Sequence, residues 1–297
     1  MVVGIVSFIM MQALPGDSAY RIAAGRYGYD VLDAQASELV RLELGLDRPL
    51  YQQLLHWLRQ LVSLELGNSL VSGNPVWDEI STQLSASLKL AMAAVALSLL
   101  IAVPLGFVSG MYAGGALDRL ALVVSILFRS VPAFAIGVIL ILVLAVQLKL
   151  FPVAGYGEPK HFVLPSLALA LSLAAVSNRV IRDAVASSMN SHWYKFSLTK
   201  GLSRNTTLRR HVARNIAAPT LAYVGVQLAF LIEGVVIIES VFAWPGIGHA
   251  LVHAIFERNV PMVQGTALTL GLLFVLMSFV IDLVCRILDP REVVTQQ

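Results

Sequence analysis

Charge is scarce in this chain. Only 13% of its 297 residues are Asp, Glu, Lys or Arg, against about 25% in an ordinary soluble domain, while 57% are hydrophobic. A soluble core of this size cannot hide so many apolar side chains, so part of the solvent has to be lipid. Cysteine is nearly absent as well. Cys285 alone excludes an intramolecular disulfide and argues against a zinc or iron–sulfur site built from thiolates. Lysine occurs only at 89, 149, 160, 195 and 200, and none of these follows a glycine. The nucleotide-binding pattern G-x-x-x-x-G-K-[ST] therefore cannot occur. The H-E-x-x-H and G-x-S-x-G motifs are missing too. His249 and His253 are four apart and share a helix face, but an isolated pair reads as structural or solvated. Neither a catalytic centre nor a metal site is expected.

What the chain has is long uncharged runs. Residues 90–117, 130–148, 162–178, 215–232 and 259–281 are each bounded by charged or basic residues, and a shorter run, 1–16, opens the chain. A membrane-crossing helix needs about 20 mostly apolar residues. The reading is an all-α polytopic membrane protein with about six transmembrane helices. The first run has no basic flank and no small-residue cleavage site, so it is a transmembrane helix shortened at its start rather than a signal peptide. On that reading the native start lies upstream of Met1. Pro104, Pro132 and Pro165 lie in or beside spans, where they are expected to kink them.

The little charge there is has been concentrated. Residues 177–215 hold eight basic groups and the single acid Asp183, a net +7. Residues 15–85 hold five basic groups and nine acids, a net −4. The basic loop is therefore expected in the cytoplasm and the acidic segment outside, with both termini cytoplasmic. Nucleic acid is not an expected partner of the basic loop, which has few interleaved aromatics and sits between two spans. Anionic lipid is one candidate partner, and a cytoplasmic protein is the other. In the external segment, Leu39, Leu42, Leu46 and Leu50, then Leu54, Leu55, Leu58, Leu61 and Val62, recur at helical spacing. They predict short amphipathic helices, serving as a scaffold or a docking surface. The divisions are a first span at 1–16, an external helical segment at 17–85, a transmembrane core at 86–290 containing the loop 183–217, and a cytoplasmic tail at 291–297.

The stretch "LTKGLSRNTTLRRHVARNIAAPTLAYVG" (198–225) resembles the cytoplasmic loop of ABC-importer permeases. "ALPGDSA", "LGLDRPLYQQ", "RSVPAF", "FPVAGYG", "GVVIIESVFAWPGIGHALVHAI", "RNVPMVQG" and "DLVCRILDPREV" resemble the dipeptide, oligopeptide and nickel permease subfamily. The resemblance covers nearly the whole chain. It implies the B-type inner-membrane permease subunit, with the type I importer fold and a loop that docks on an ATPase. It also implies the partners: a homologous second permease, two ATP-binding cassette ATPases that carry ATP and Mg, an extracytoplasmic substrate-binding protein, and membrane lipid. Gly201, His211, Arg214, Asn215 and Pro219 match the family's glycine and the "H…RN…P" that follows it. There are departures. Lys195-Phe196-Ser197 stands where the family's Glu-Ala-Ala begins, Glu233 where a glycine is usual, and Arg129 where a small or apolar residue is usual.

The residues themselves support a docking role. Gly201 permits φ > 0 or a close backbone approach. Ser203 is an N-cap candidate for a short helix over 204–215, which would present Leu208 and Val212 with Arg204, Arg209 and Arg210 around them. Pro219 then starts the fifth span. Lys200, Leu202 and the residues just named form the candidate coupling loop. Intramembrane ionisable groups are costly and tend to face a cavity or a partner. Glu233, Arg129 and Glu239 are the pathway candidates; interfacial anchoring is the alternative for Glu239 and for Asp282. Trp244, Pro245, Gly246 and Gly248 predict a tight turn before a short re-entrant or interfacial helix, as gate architecture, a docking surface or plain structure. Together these features point to a permease for dipeptides or oligopeptides working by alternating access. A nickel or metal-chelate importer is the alternative within the family. A stand-alone secondary transporter and a scaffold without a pathway are the alternatives outside it.

Overall fold

The computed structural model describes residues 2–13, 16–28, 34–45, 47–63 and 65–288, with some helical side chains, Glu233's and Cys285's among them, outside the description. The tail at 291–297 and Leu46 lie outside the described residues. All the regular elements described are helical: α1 (Val2–Ala13), α2 (Ser18–Tyr27), α3 (Ala34–Glu43), α4 (Leu50–Val62), α5 (Val76–Met111), α6 (Ala116–Ser130), α7 (Ala133–Leu140), α8 (Pro159–Asn190), α9 (His192–Thr199), α10 (Arg204–Thr207), α11 (Ala213–Val241), α12 (Ile247–Phe256) and α13 (Val260–Leu288). Two π-helical stretches, Ile141–Gln147 and Leu208–Val212, extend α7 and join α10 to α11. Among the described residues, α5, α8 and α13 (over Val260–Val284) are long and apolar enough to cross a membrane. The α6–α7 pair makes a fourth span if it is counted as one bent element. α11 has 29 residues, which at 1.5 Å each is long enough for a crossing of roughly 30 Å.

The 130–148 run is not one straight span. The chain is helical from Ala116, breaks at Val131–Pro132, and resumes at Ala133 with its axis turned by 98°. The cause is local. Proline disfavours the α region for its predecessor, and Val131 is extended at φ −100°, ψ 127°. Pro132 then opens α7, where its missing N–H leaves no orphan. Pro104 and Pro165, by contrast, are absorbed inside α5 and α8.

The described chain falls into two compact units. One comprises residues 1–87 and 245–273, the other 88–244 and 274–297. In the first, Val76 and Ile80 of α5 pack with Ile247, Ala254, Met262 and Val263. The "RN" of "RNVPMVQG" ties this unit together. Arg258 donates to the Gly16 carbonyl (2.9 Å), and buried Asn259 donates to Ser69 Oγ (2.7 Å) while accepting from the Leu70 N–H (3.0 Å). α3 and α4 fall where the leucine spacing predicted helices, and α2 precedes them. Their packing face differs from the leucine stripe, because Val40 is buried while Leu39 and Leu42 are exposed.

In the second unit α5 and α8 approach closely at Gly106 and Gly110. A Cβ on Gly106 would lie 2.7 Å from the Asn178 carbonyl oxygen, and one on Gly110 would lie 2.6 Å from the Val185 Cβ. This is a small-xxx-small contact, which lets backbones meet where lipid offers no hydrophobic drive. The buried polar groups bridge helices. Asn178 of α8 donates to Ser125 of α6 (3.0 Å), and Gln227 of α11 donates to the Leu173 carbonyl (2.8 Å) and Ser177 Oγ (2.5 Å) of α8. At the far end of α8, Arg182 makes a two-pronged pair with buried Asp118 of α6, at 2.9 and 2.6 Å. Asp118 also accepts from the Gly114 N–H (2.8 Å), and Arg182 also reaches Asp183 (2.8 Å).

Candidate functional site

Two parts of the second unit hold most of the candidate residues. The first is the basic loop. Ser191 caps α9 by accepting from the Tyr194 N–H (3.3 Å), and α9 runs to Thr199. Lys200 ends it with its ammonium 4.6 Å above the Phe196 ring. Gly201 takes φ +85°, with nothing within 4 Å of where a Cβ would sit. Its glycine is therefore required by conformation and not by close approach. Leu202 is exposed, and Ser203 caps the next turn by accepting from the Thr206 N–H (3.2 Å), as its position predicted.

The helix that follows departs from the expected 204–215 unit. A single α turn, Arg204–Thr207, passes through the π-helical Leu208–Val212 straight into α11. Pro219 consequently lies inside α11 and does not start it. The wider π turn just upstream breaks the regular hydrogen-bond ladder before the proline is reached. Leu208 (9% exposed) and Val212 (0%) face inward and pack with Tyr194, Ile181, Val185 and Ile216. They are anchors to the protein's own bundle, not apolar knobs offered to a groove. The helix continues without a hinge, so its apolar side has to join the core that α8 and α11 already share. Arg204, Arg209, Arg210, Arg214 and Asn215 remain exposed, and half-buried His211 stands 6.4 Å from the Trp193 ring. Asn215 donates to the His211 carbonyl (3.1 Å). The outward apolar side chains of the loop are Trp193, Phe196, Leu198 and Leu202.

The second part is the elbow between α6 and α7. A cavity of about 360 Å³ opens there, with walls from α6, α8 and α11. Arg129, in the last turn of α6, borders it, together with Pro132, Ser172, Tyr223 and Gln227. Among the described residues no carboxylate lies within ion-pair distance of Arg129. Gln227 is only 2% exposed, and its Oε1 and the Ser172 Oγ have no hydrogen-bond partner among the described residues.

The other candidates do not gather at this cavity. Glu239 is fully buried near the end of α11 and does not line the cavity, and its carbonyl accepts from the Trp244 N–H (2.8 Å). The Glu233 side chain lies outside the description, while Asp282 is exposed on α13. Trp244 is buried against Tyr156 and Phe162, with ring centroids 4.9 and 5.2 Å away. Ala243 makes the turn with φ +48°. Pro245 and Gly246 lead into α12, whose first N–H, from Ile247, donates to Ser87 Oγ (2.9 Å), and Gly248 is buried in that helix. His249 and His253 meet edge to face with centroids 4.5 Å apart, and no cluster of three or more metal-ligating side chains occurs among the described residues.

Asp118, Arg182, Gln227 and the two α5 glycines were not singled out from the sequence. The glycines carried a signal, G-x-x-x-G within the run 90–117, and Gln227 another, as an amide inside an apolar run. Asp118 and Arg182 are 64 residues apart and carried none.

Residues 102–294 match the family model described as "Binding-protein-dependent transport system inner membrane component". The chain is 34% identical over 289 residues to a glutathione transport system permease protein from Escherichia coli strain K12, which covers 97% of this chain and 93% of that one. The same figures hold for the corresponding protein of Shigella dysenteriae. Among solved structures, an inward-facing form of the MetNI methionine ABC transporter aligns with TM-score 0.58 and 16% identity, over 71% of this chain and 96% of that one. An amino acid ABC transporter solved with histidines aligns with TM-score 0.56 and 16% identity, over 70% and 94%.

Proposed function

The chain belongs to the family of binding-protein-dependent transport system inner membrane components and is a multi-pass ABC-importer permease, and from that premise we propose that it forms half of a pathway importing short peptides, glutathione among them. The observation that carries the cargo is the 34% identity over 97% of the chain to permeases named for glutathione, which is a tripeptide. Permeases of this family work with ATPase and substrate-binding partners. In the proposed assembly ATP and Mg²⁺ sit on two separate ATPase subunits, and a homologous second permease completes the pathway within the lipid. Both termini and the loop 183–217 face the cytoplasm, which the +7 charge of residues 177–215 supports.

The proposed docking surface is the exposed ridge of α9 and the turn after it: Phe196, Leu198, Lys200, Leu202 and the outward arginines. Leu208 and Val212 fix that ridge to α8 and α11 from below. A push on the ridge is then delivered to two spans as a rigid-body displacement, because packed helices shift as units. The two-pronged Arg182–Asp118 pair extends the connection to α6.

The test is purification of the tagged chain from its own membrane, followed by uptake in vesicles containing the whole complex and its binding protein. Two ATPases and a second permease should co-purify, and ATP-dependent uptake of glutathione should exceed that of Ni²⁺. Recovery of the chain alone, with uptake independent of ATP, would mark a stand-alone transporter. ATP-dependent uptake of Ni²⁺ and not of glutathione would replace the peptide reading with the metal one.

A further inference from the structure

The elbow cavity presents a problem of energetics. The C-terminus of α6 favours a cation by about 0.3–1 kcal/mol. An arginine inside a span costs on the order of 2.5–3.5 kcal/mol on insertion scales. Arg129 is exposed, so within a span it has to face water or a partner and not lipid, and no described carboxylate pairs with it. Gln227 and Ser172 also line the cavity, with their unpartnered Oε1 and Oγ buried behind its surface.

The polarity of the wall is specific. Both protons of the Gln227 amide are already used, on the Leu173 carbonyl and on Ser177. Arg129 is a fixed positive charge with several N–H donors, and Tyr223 adds a hydroxyl to the same wall. A ligand that answers both carries an anion.

We propose that the elbow cavity is a subsite for the C-terminal end of a peptide in transit, where Arg129 and the Tyr223 hydroxyl hold the terminal carboxylate. This inference rests on the peptide-import reading above and names the part of the cargo that the membrane pathway recognises. The volume, about 360 Å³, suits a pocket that takes one end of a small ligand. It also separates the two cargo classes, since a bare metal cation would meet Arg129 as a like charge. Arginine suits the role because its planar fork matches a carboxylate with two parallel hydrogen bonds.

The experiment compares uptake of glutathione with uptake of its glycine amide, in vesicles holding the complete importer and its binding protein. The readout is the ratio of acid to amide. Any preference of the binding protein is common to every variant and cancels when ratios are compared. Arg129→Gln should lower the ratio at least about tenfold. Arg129→Lys, which keeps the charge and loses the fork, should lower the ratio by a smaller factor than Arg129→Gln, and so should Tyr223→Phe. An unchanged ratio in Arg129→Gln overturns the proposal. So does an equal fall in Arg129→Gln and Arg129→Lys, or the loss of both probes in Arg129→Gln, since either outcome makes Arg129 a structural residue. A wild-type complex that takes up neither probe with ATP refutes the peptide reading itself, and this inference falls with it.

Discussion

The basic loop and the elbow are both interruptions of helix within one compact unit, and both carry arginine, yet they treat their side chains in opposite ways. In the loop the apolar residues turn inward, with Tyr194, Leu208 and Val212 buried, and the charges turn out. Its breaks are ordered by local chemistry: serine caps at 191 and 203 and a left-handed glycine at 201. At the elbow the break comes from a Val-Pro step, and the polar groups around it retain hydrogen-bonding capacity that the protein itself does not use. A region that satisfies itself and pins its own apolar side to the bundle is built to move as one body. A region that leaves an arginine without a described carboxylate at a cavity wall is built to hold something else. Arg182 and Arg129 make the same contrast within a single residue type. The first has two carboxylates, and the second has none among the described residues.

The largest effect should come from breaking the loop's one conformational requirement. Gly201→Val places a β-branched residue at φ +85°, which costs about 1–2 kcal/mol or forces the turn to refold. Uptake should fall more than about tenfold, with normal amounts of the chain in the membrane. Gly201→Asn should retain most of the uptake, because asparagine tolerates the left-handed region and a Cβ there meets nothing within 4 Å. Equal loss in the two variants would show that something other than backbone conformation demands the glycine.

That glycine was legible in the sequence, and so was Ser203, because the chemistry of a turn is local. The inward direction of Leu208 and Val212 was not. The i, i+4 pair was visible, but which face packs is decided by α8 and α11, and the spacing of two residues says nothing about whether the partner is internal or foreign. The helix Ala116–Ser130 was missed because Asp118, Arg119 and Arg129 interrupt its hydrophobicity, so that uncharged-run reading left it as a link between spans. The elbow was half legible. Pro132 signalled a bend, while the 98° turn and the cavity depend on how α6, α8 and α11 converge. Attention to ionisable groups found Arg129 and passed over Gln227, whose neutral amide is the more completely buried of the two.

A middle-sized effect should follow from removing the latch that links α6 to α8. Asp118→Asn keeps the size of the side chain and its bond from the Gly114 N–H but discards the charge facing Arg182. Asp183 still pairs with Arg182, so the arginine is not stranded. The cost should be about 1–3 kcal/mol, as for a charge-assisted hydrogen bond lost in a partly shielded site. Thermal unfolding of the purified complex, followed by loss of monodisperse protein on heating, should move down by several degrees. An unmoved transition would show that the latch is dispensable and that the α5–α8 glycine contact alone holds this end.

The smallest effect should be at the loop's outward arginines, and it sharpens the contrast with Arg129. Arg210 is exposed and makes no described ion pair. Arg210→Gln should change stability by no more than about 0.5 kcal/mol, and seven other basic groups still hold the loop on the cytoplasmic side. If Arg210 helps the ridge meet an ATPase, the variant should lower uptake only about two- to threefold, and the deficit should shrink as salt rises, because an exposed charge contact is screened over about 8 Å at physiological ionic strength. A deficit independent of salt would place Arg210 in a desolvated contact with the partner. Uptake equal to wild type at every salt concentration would leave Arg210 with the topological role alone.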